Sequence, residues 1–175
     1  MKSEIENGFT LIETLIVMVI IGILAGIASP SMRTLIERNR TDAQIRGLFE
    51  SIVAARSESI TRNQATTLCK SSDRESCTAS GNWEQGWLVY VDSNGNASLD
   101  STEDVIRSHK ALETNYTLRA VSPLTNTVSF RANGTTTDSG SLRLCPPSND
   151  TTLGYTIVLN ITGRARLSKE VSECP

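Results

Sequence analysis

The sequence predicts an α+β protein in which a long N-terminal helix precedes a β-rich domain, and three observations support this. From Phe9 to Ala28 the only ionisable side chain is Glu13. Apolar residues then recur at spacings of three and four up to residue 62, which is typical of an amphipathic helix. Beyond that point short β-rich runs alternate with turn residues, which is typical of antiparallel strands.

Length and charge restrict the functions that the chain can have. The chain has 175 residues, which is enough for one compact domain plus an appendage. Its net charge is −2, so the protein as a whole is not positively charged. The single histidine, His109, lacks a partner nucleophile, and there is no Cys-x-x-Cys pair. We therefore expect no enzyme activity, no cofactor and no metal, and any nucleic-acid binding must come from a local patch.

The apolar N-terminal stretch has the length of a membrane span, because twenty helical residues rise about 30 Å. A cleavable secretory signal and a plain membrane anchor are the alternatives. The long apolar core and its carboxylate argue against both. We expect residues 9–30 to form a transmembrane helix and residues 31–62 to continue it as an amphipathic helix that packs on the following domain.

The residues around Gly8 resemble a known processing signature. Gly8 followed by the letters FTLIE is similar to the class III leader of type IV pilins and secretion pseudopilins. The resemblance implies that prepilin peptidase removes residues 1–8 and that Phe9 becomes an N-methylated first residue. It also implies that Glu13 pairs with the Phe9 amine of a neighbouring subunit, because an isolated charge is costly in lipid and a paired one is tolerated.

The β-rich part, residues 63–175, contains several runs that we expect to form an antiparallel sheet leaning on the second half of the helix. The expected strands are Thr66–Lys70, Gly86–Asp92, Val105–Ser108, Tyr116–Val121, Thr127–Ala132, Ser141–Cys145, Gly154–Ile161 and Arg164–Ser168. The expected core residues are Trp87, Val89, Val91, Leu118, Phe130, Leu142, Leu144, Ile157 and Leu159.

A second resemblance lies far from the leader. The segment from Gly86 to Arg107 is similar to the signature of the FimT/GspH class of minor pilins and pseudopilins. It implies the type IV pilin fold, with other major and minor pilins as partners. It also implies a single-pass protein of the inner membrane with a periplasmic head, which later joins a type IV pilus at the cell surface.

The same segment contains a run of oxygen-bearing side chains that invites a calcium hypothesis. They occupy positions 1, 3, 5, 7, 9 and 12 of an EF-hand-like loop: Asp92, Asn94, Asn96, Ser98, Asp100 and Glu103. The glycine stands at the fourth position, Gly95, instead of the sixth, and strands are expected on both sides. We therefore favour a hairpin loop whose Asn and Asp side chains bond their own backbone.

Four cysteines after a membrane-targeting segment suggest an oxidising compartment and two disulfides. Three pairings are possible, and we favour Cys69–Cys77 and Cys145–Cys174. The second bridge would tie the carboxyl end to the sheet.

A basic turn lies near the carboxyl end. Gly163 follows Thr162 in a turn, and Arg164 and Arg166, two residues apart on a strand, should project from one face. Two guanidinium groups side by side can grip successive phosphates. Lys169 adds charge. We expect Arg143 on an adjacent strand, and the nearby acids in the sequence are Asp138 and Glu170.

The G-R-x-R motif resembles the C-terminal motif of FimT proteins, which are minor pilins that bind DNA for uptake in natural transformation. The resemblance implies that Arg164 and Arg166 contact DNA, with Gly163 in the turn and Lys169 as an accessory. The alternative is that these arginines only protect an edge strand. The protein would then be a FimU-like minor pilin for pilus priming and twitching, or a GspH-type pseudopilin of type II secretion.

Overall fold

The structure, a computed structural model, describes residues 9–169 and 171–174, without the side chains of residues 27–31. Gly8 and the rest of the expected leader, residues 1–8, lie outside the described residues, as do Glu170 and Pro175. The chain forms two compact units, one ending at Arg38 and one beginning at Asn39.

The first unit contains the start of a single long helix, α1, which spans Leu11–Arg62. Thr10 caps it, because the backbone N–H of Glu13 donates to the Thr10 hydroxyl at 3.3 Å. Glu13 in the first turn also suits the positive end of the helix dipole. Among the described residues, no helix meets the combined length and hydrophobicity that a membrane crossing requires. The transmembrane assignment of residues 9–30 stays a prediction.

The second unit contains eight strands in two four-stranded antiparallel sheets. The strands are β1 Thr66–Lys70, β2 Trp87–Val91, β3 Val105–His109, β4 Thr117–Val121, β5 Thr127–Phe130, β6 Gly140–Cys145, β7 Tyr155–Leu159 and β8 Ala165–Ser168. The first sheet has the order β3-β2-β1-β5 and the second the order β4-β6-β7-β8. Every expected strand forms, with ends moved by one or two residues, but they divide between two sheets.

The core of this unit joins α1 to the sheets. From the helix, Ile45, Leu48 and Ile52 are almost fully buried. All nine core residues expected from the sequence are buried too. Trp87 is 1% exposed, and its indole N–H donates to the Ser51 hydroxyl of α1 at 3.0 Å. The Trp87 ring stacks on the imidazole of His109 with 4.1 Å between ring centroids.

Two disulfides join Cys69 to Cys77 and Cys145 to Cys174, which are the pairs that the sequence favoured. The first closes a polar loop between β1 and β2. The second ties the carboxyl-terminal tail to the end of β6.

The loop between β2 and β3 is held by its own side chains. Asp92 is buried and accepts hydrogen bonds from the Thr67 hydroxyl and from the backbone N–H groups of Asn96 and Ala97. Glu103 accepts from the Ser93 N–H at 2.8 Å. These contacts are those of a hairpin loop whose carboxylates bond backbone donors.

Candidate functional site

The hairpin of β7 and β8 brings the two arginines of the G-R-A-R motif to one face. Strand β8 is the edge of the second sheet and pairs with β7. Ala165 and Leu167 pack against the hydrophobic core, whereas Arg164 and Arg166 are exposed. Because side chains alternate along a strand, both guanidinium groups project away from the core on the same side.

Gly163 makes the turn that places these arginines. It is buried, with φ at +77°, and its N–H donates to the Asn160 carbonyl at 2.8 Å. A Cβ at this position would overlap the carbonyl oxygen of Gly134. The turn therefore requires glycine for two independent reasons, namely the left-handed backbone and the close approach of another loop.

Arg56 of α1 anchors the same turn. Its Nε donates to the Gly134 carbonyl at 3.0 Å and its Nη2 to the Thr162 carbonyl at 3.4 Å. The helical spacing gives no sign of this role, because the partners lie 78 and 106 residues away. Arg56 thus fixes the hairpin to the helix without belonging to the exposed basic face.

Arg164 and Arg166 present two neighbouring guanidinium groups at the exposed edge of the sheet. In the described part of the chain, neither guanidinium group forms a hydrogen bond or an ion pair. Asp138 points elsewhere, since it accepts from the Ser129 N–H of β5 at 2.8 Å. Glu170 lies outside the described residues. The two guanidinium groups are therefore available to an external anion.

Lys169 is exposed but has an acid in its surroundings. A hydrogen bond from Arg46 at 2.6 Å lowers the pKa of the Asp42 carboxyl, and the charge of Lys169 contributes in the same direction. Part of the Lys169 charge is thus already offset by α1. An accessory part in anion binding fits this position better than a principal one.

Arg143 lies on the same face of the sheet as Arg164 and Arg166. The sequence had predicted it on the strand next to β8, and this prediction is wrong. It belongs to β6, and β7 separates it from β8. In the sheet register Arg143 faces Arg119 of β4 on one side and Thr156 of β7 on the other. Arg119 was missed at the sequence level, because its place beside Arg143 depends on the pairing of two distant strands.

Comparison with known proteins adds two family matches. The family described as "Type II transport protein GspH" matches residues 44–163, and the prokaryotic N-terminal methylation motif matches residues 5–29. The first match covers most of the second unit and ends immediately before Arg164. The second covers the residues that resemble a pilin leader.

Individual proteins agree with these matches. The pilin-like protein PilA1 of Thermus thermophilus is 33% identical over 104 residues, which cover 59% of this chain and 60% of PilA1. Two crystal structures of the type IV minor pilin FimU from Pseudomonas aeruginosa are similar in fold. The first has a TM-score of 0.60 at 20% identity, and the match covers 79% of this chain and 98% of the FimU chain. The second has a TM-score of 0.56 at 18% identity, and the match covers 77% of this chain and 99% of the FimU chain. The expected α+β type IV pilin fold is therefore confirmed, and the chain belongs to the GspH family of type IV minor pilins and pseudopilins.

Proposed function

We propose that this chain is a minor pilin of a type IV pilus that binds DNA without sequence preference through Arg164 and Arg166, for uptake in natural transformation. The observation that carries the proposal is the pair of exposed guanidinium groups on an edge strand with no partner among the described residues. Gly163 and Arg56 hold the pair in place, and Lys169 adds charge nearby.

The chemistry expected of this pair is phosphate binding. Residues two apart on a strand lie about 6.6 Å from each other, so two parallel guanidinium forks can hold neighbouring phosphates of one DNA strand. Such contacts carry no sequence information and weaken steeply as salt rises. Valine, threonine and serine form the neighbouring surface of β7 and β8, and they offer no aromatic ring for base stacking.

The pair can be tested by binding of the full chain, in a non-ionic detergent, to a labelled DNA duplex. Replacement of Arg164 and Arg166 together by Gln is expected to weaken binding at least about tenfold, because two phosphate contacts are lost. The matched control replaces Arg74 and Arg107, two exposed arginines elsewhere in the unit, by Gln. Equal weakening in both double variants would show that only net charge matters and would refute the proposed site.

The proposed assembly mechanism uses the N-terminal helix. Other pilins and prepilin peptidase are the partners that the family implies. We further propose that the peptidase cuts after Gly8, that the chain crosses the inner membrane once, and that its head stays periplasmic until it enters the pilus. Phe9 and Glu13 are both exposed in the isolated chain. In an apolar filament core, the Glu13 carboxylate and the amine freed at Phe9 by cleavage would each need an opposite charge.

Replacement of Glu13 by Leu is therefore expected to reduce the amount of chain in sheared pili at least about tenfold, while its amount in the membrane stays normal. The physical reason is that the freed amine of a neighbouring Phe9 then stays buried without a counter-charge. Glu75, an exposed carboxylate of the second unit, provides the control when replaced by Leu. Normal incorporation of the Glu13→Leu variant would contradict the register mechanism.

A second candidate function is favoured by the family match itself. The matching family is described as a type II transport protein, and the similar crystal structures are of FimU. The chain would then be a secretion pseudopilin, or a FimU-like minor pilin that primes pilus assembly for twitching without binding DNA. Deletion strains scored separately for transformation, twitching and protein secretion discriminate the three. Loss of transformation is the result expected from our proposal.

A further inference from the structure

A cavity on the outer face of the second sheet lies beside the proposed DNA surface. Its volume is about 520 Å³, and Arg119, Arg143, Ser122 and Glu173 are among its lining residues. Arg119 and Arg143 face each other across β4 and β6 in the strand register. Each of these arginines is paired with a glutamate, and the strength of each pair determines whether an external anion can bind there.

Arg119 has a partly buried acidic partner. Its guanidinium forms an ion pair with Glu84, whose side chain is only 26% exposed. The Glu84 carboxylate also accepts a hydrogen bond from the backbone N–H of Leu118 at 3.2 Å. Glu84 is thus held by two contacts with β4, one to Leu118 and one to Arg119.

Arg143 has a replaceable partner. The carboxylate of Glu173 lies 3.3 Å from Arg143 Nη1, and the Glu173 side chain is 80% exposed. Its backbone carbonyl also accepts from Nη1, at 3.2 Å. Both distances exceed the 2.7–2.9 Å usual for strong charge-assisted bonds. Arg143 Nε is buried and has no hydrogen-bond partner among the described residues, so this guanidinium is incompletely satisfied.

Among the described residues, the strands that connect Arg143 to Arg166 carry no acidic side chain. The four strands of the second sheet contain no Asp or Glu. Arg143 faces Thr156, and Thr156 faces Ser168, which lies two residues beyond Arg166 on the same face. Two strand spacings across and two residues along place Arg143 about 12 Å from Arg166. A DNA backbone held at Arg166 can therefore also reach Arg143.

We propose that Arg143 is a further phosphate-binding residue of this DNA surface and that Glu173 covers it as an intramolecular competitor. The inference rests on the proposed function, since the ligand is the same DNA. The Cys145–Cys174 disulfide keeps Glu173 beside Arg143, because it ties the neighbouring residue of the tail to the end of β6. Binding at Arg143 thus requires a phosphate to displace the Glu173 carboxylate.

The test compares two glutamate variants of the full chain in detergent, with the same labelled duplex as probe. Glu173→Gln is expected to bind the duplex about two- to fivefold more tightly than the unmodified chain, the gain of one solvent-exposed charged contact. The plot of log K against log salt should become steeper by about 0.9, the slope of one additional phosphate. Arg143→Gln in the Glu173→Gln background should remove both gains.

Glu113→Gln is the matched control. Glu113 is an exposed carboxylate that also pairs with an arginine, Arg40, at 3.3 Å, so this variant makes the same charge change and frees one arginine elsewhere. If both glutamate variants bind equally, or if Arg143→Gln removes nothing, the inference is wrong while the proposed function still stands. If the Arg164/Arg166 double variant binds as the unmodified chain does, the proposed function fails, and the inference fails with it.

Discussion

The Gly163→Ala variant is expected to lose the turn between β7 and β8 and, with it, at least about nine-tenths of the DNA affinity. A side chain at φ near +77° costs about 1–2 kcal/mol. The overlap of its Cβ with the Gly134 carbonyl adds about 1–3 kcal/mol, because backbone cannot move aside as a flexible side chain can. The hairpin must shift, and Arg164 is the next residue along the chain.

The matched control for this variant is Gly95→Ala. Gly95 has nearly the same backbone conformation, with φ at +71°, but a Cβ there would meet nothing within 4 Å. The free energy of unfolding of the Gly95→Ala variant should be lower by only about 1–2 kcal/mol, and the DNA affinity of this variant should not change. Urea unfolding and duplex binding of both variants measure the difference. Equal losses of stability would show that contact with Gly134 does not constrain the turn.

The Trp87→Ala variant is expected to lower the free energy of unfolding of the second unit by about 3–5 kcal/mol. Trp87 is among the largest buried side chains, and it contacts both α1, through Ser51, and β3, through His109. Its removal leaves a cavity at the junction of helix and first sheet, where neighbouring side chains already have fixed partners. Urea unfolding followed by far-ultraviolet circular dichroism measures the loss.

Ser51→Ala separates the hydrogen bond of Trp87 from its packing. This variant removes the acceptor of the indole N–H together with the hydrogen bond that the Ser51 hydroxyl donates to the Gly47 carbonyl, so it should cost about 1–2 kcal/mol. If Trp87→Ala were no more destabilising than Ser51→Ala, the ring would contribute little packing energy. The assignment of Trp87 as the residue that joins helix and sheet would then be wrong.

Local patterns in the sequence were sufficient to predict the elements of the fold. Helical periodicity identified the length of α1, and turn residues identified every strand, because both signals depend on residues that are close in the chain. The division into two sheets could not be predicted in this way. Strand β5 pairs with β1 and not with β4 or β6, its neighbours in sequence. This pairing depends on contacts between segments about 60 residues apart.

The candidate site was predictable to the same extent. Gly163, Arg164 and Arg166 form one short motif at the start of β8, so the common face of the two arginines follows from alternation alone. The residues that contact this turn and the neighbouring Arg143 lie in distant parts of the sequence. Arg56 reaches the turn from the helix, and Glu173 reaches Arg143 from the tail. No spacing rule connects such residues, because only the folded chain brings them together.

The salt dependence of duplex binding tests the central claim most directly, since it counts the phosphates that the protein neutralises. Log K should fall linearly with log salt for the full chain, and replacement of Arg164 and Arg166 by Gln should make the slope shallower by about 1.8, or about 0.9 for each phosphate. An unchanged slope in that double variant would contradict the account, because it would mean that neither arginine contacts the DNA backbone.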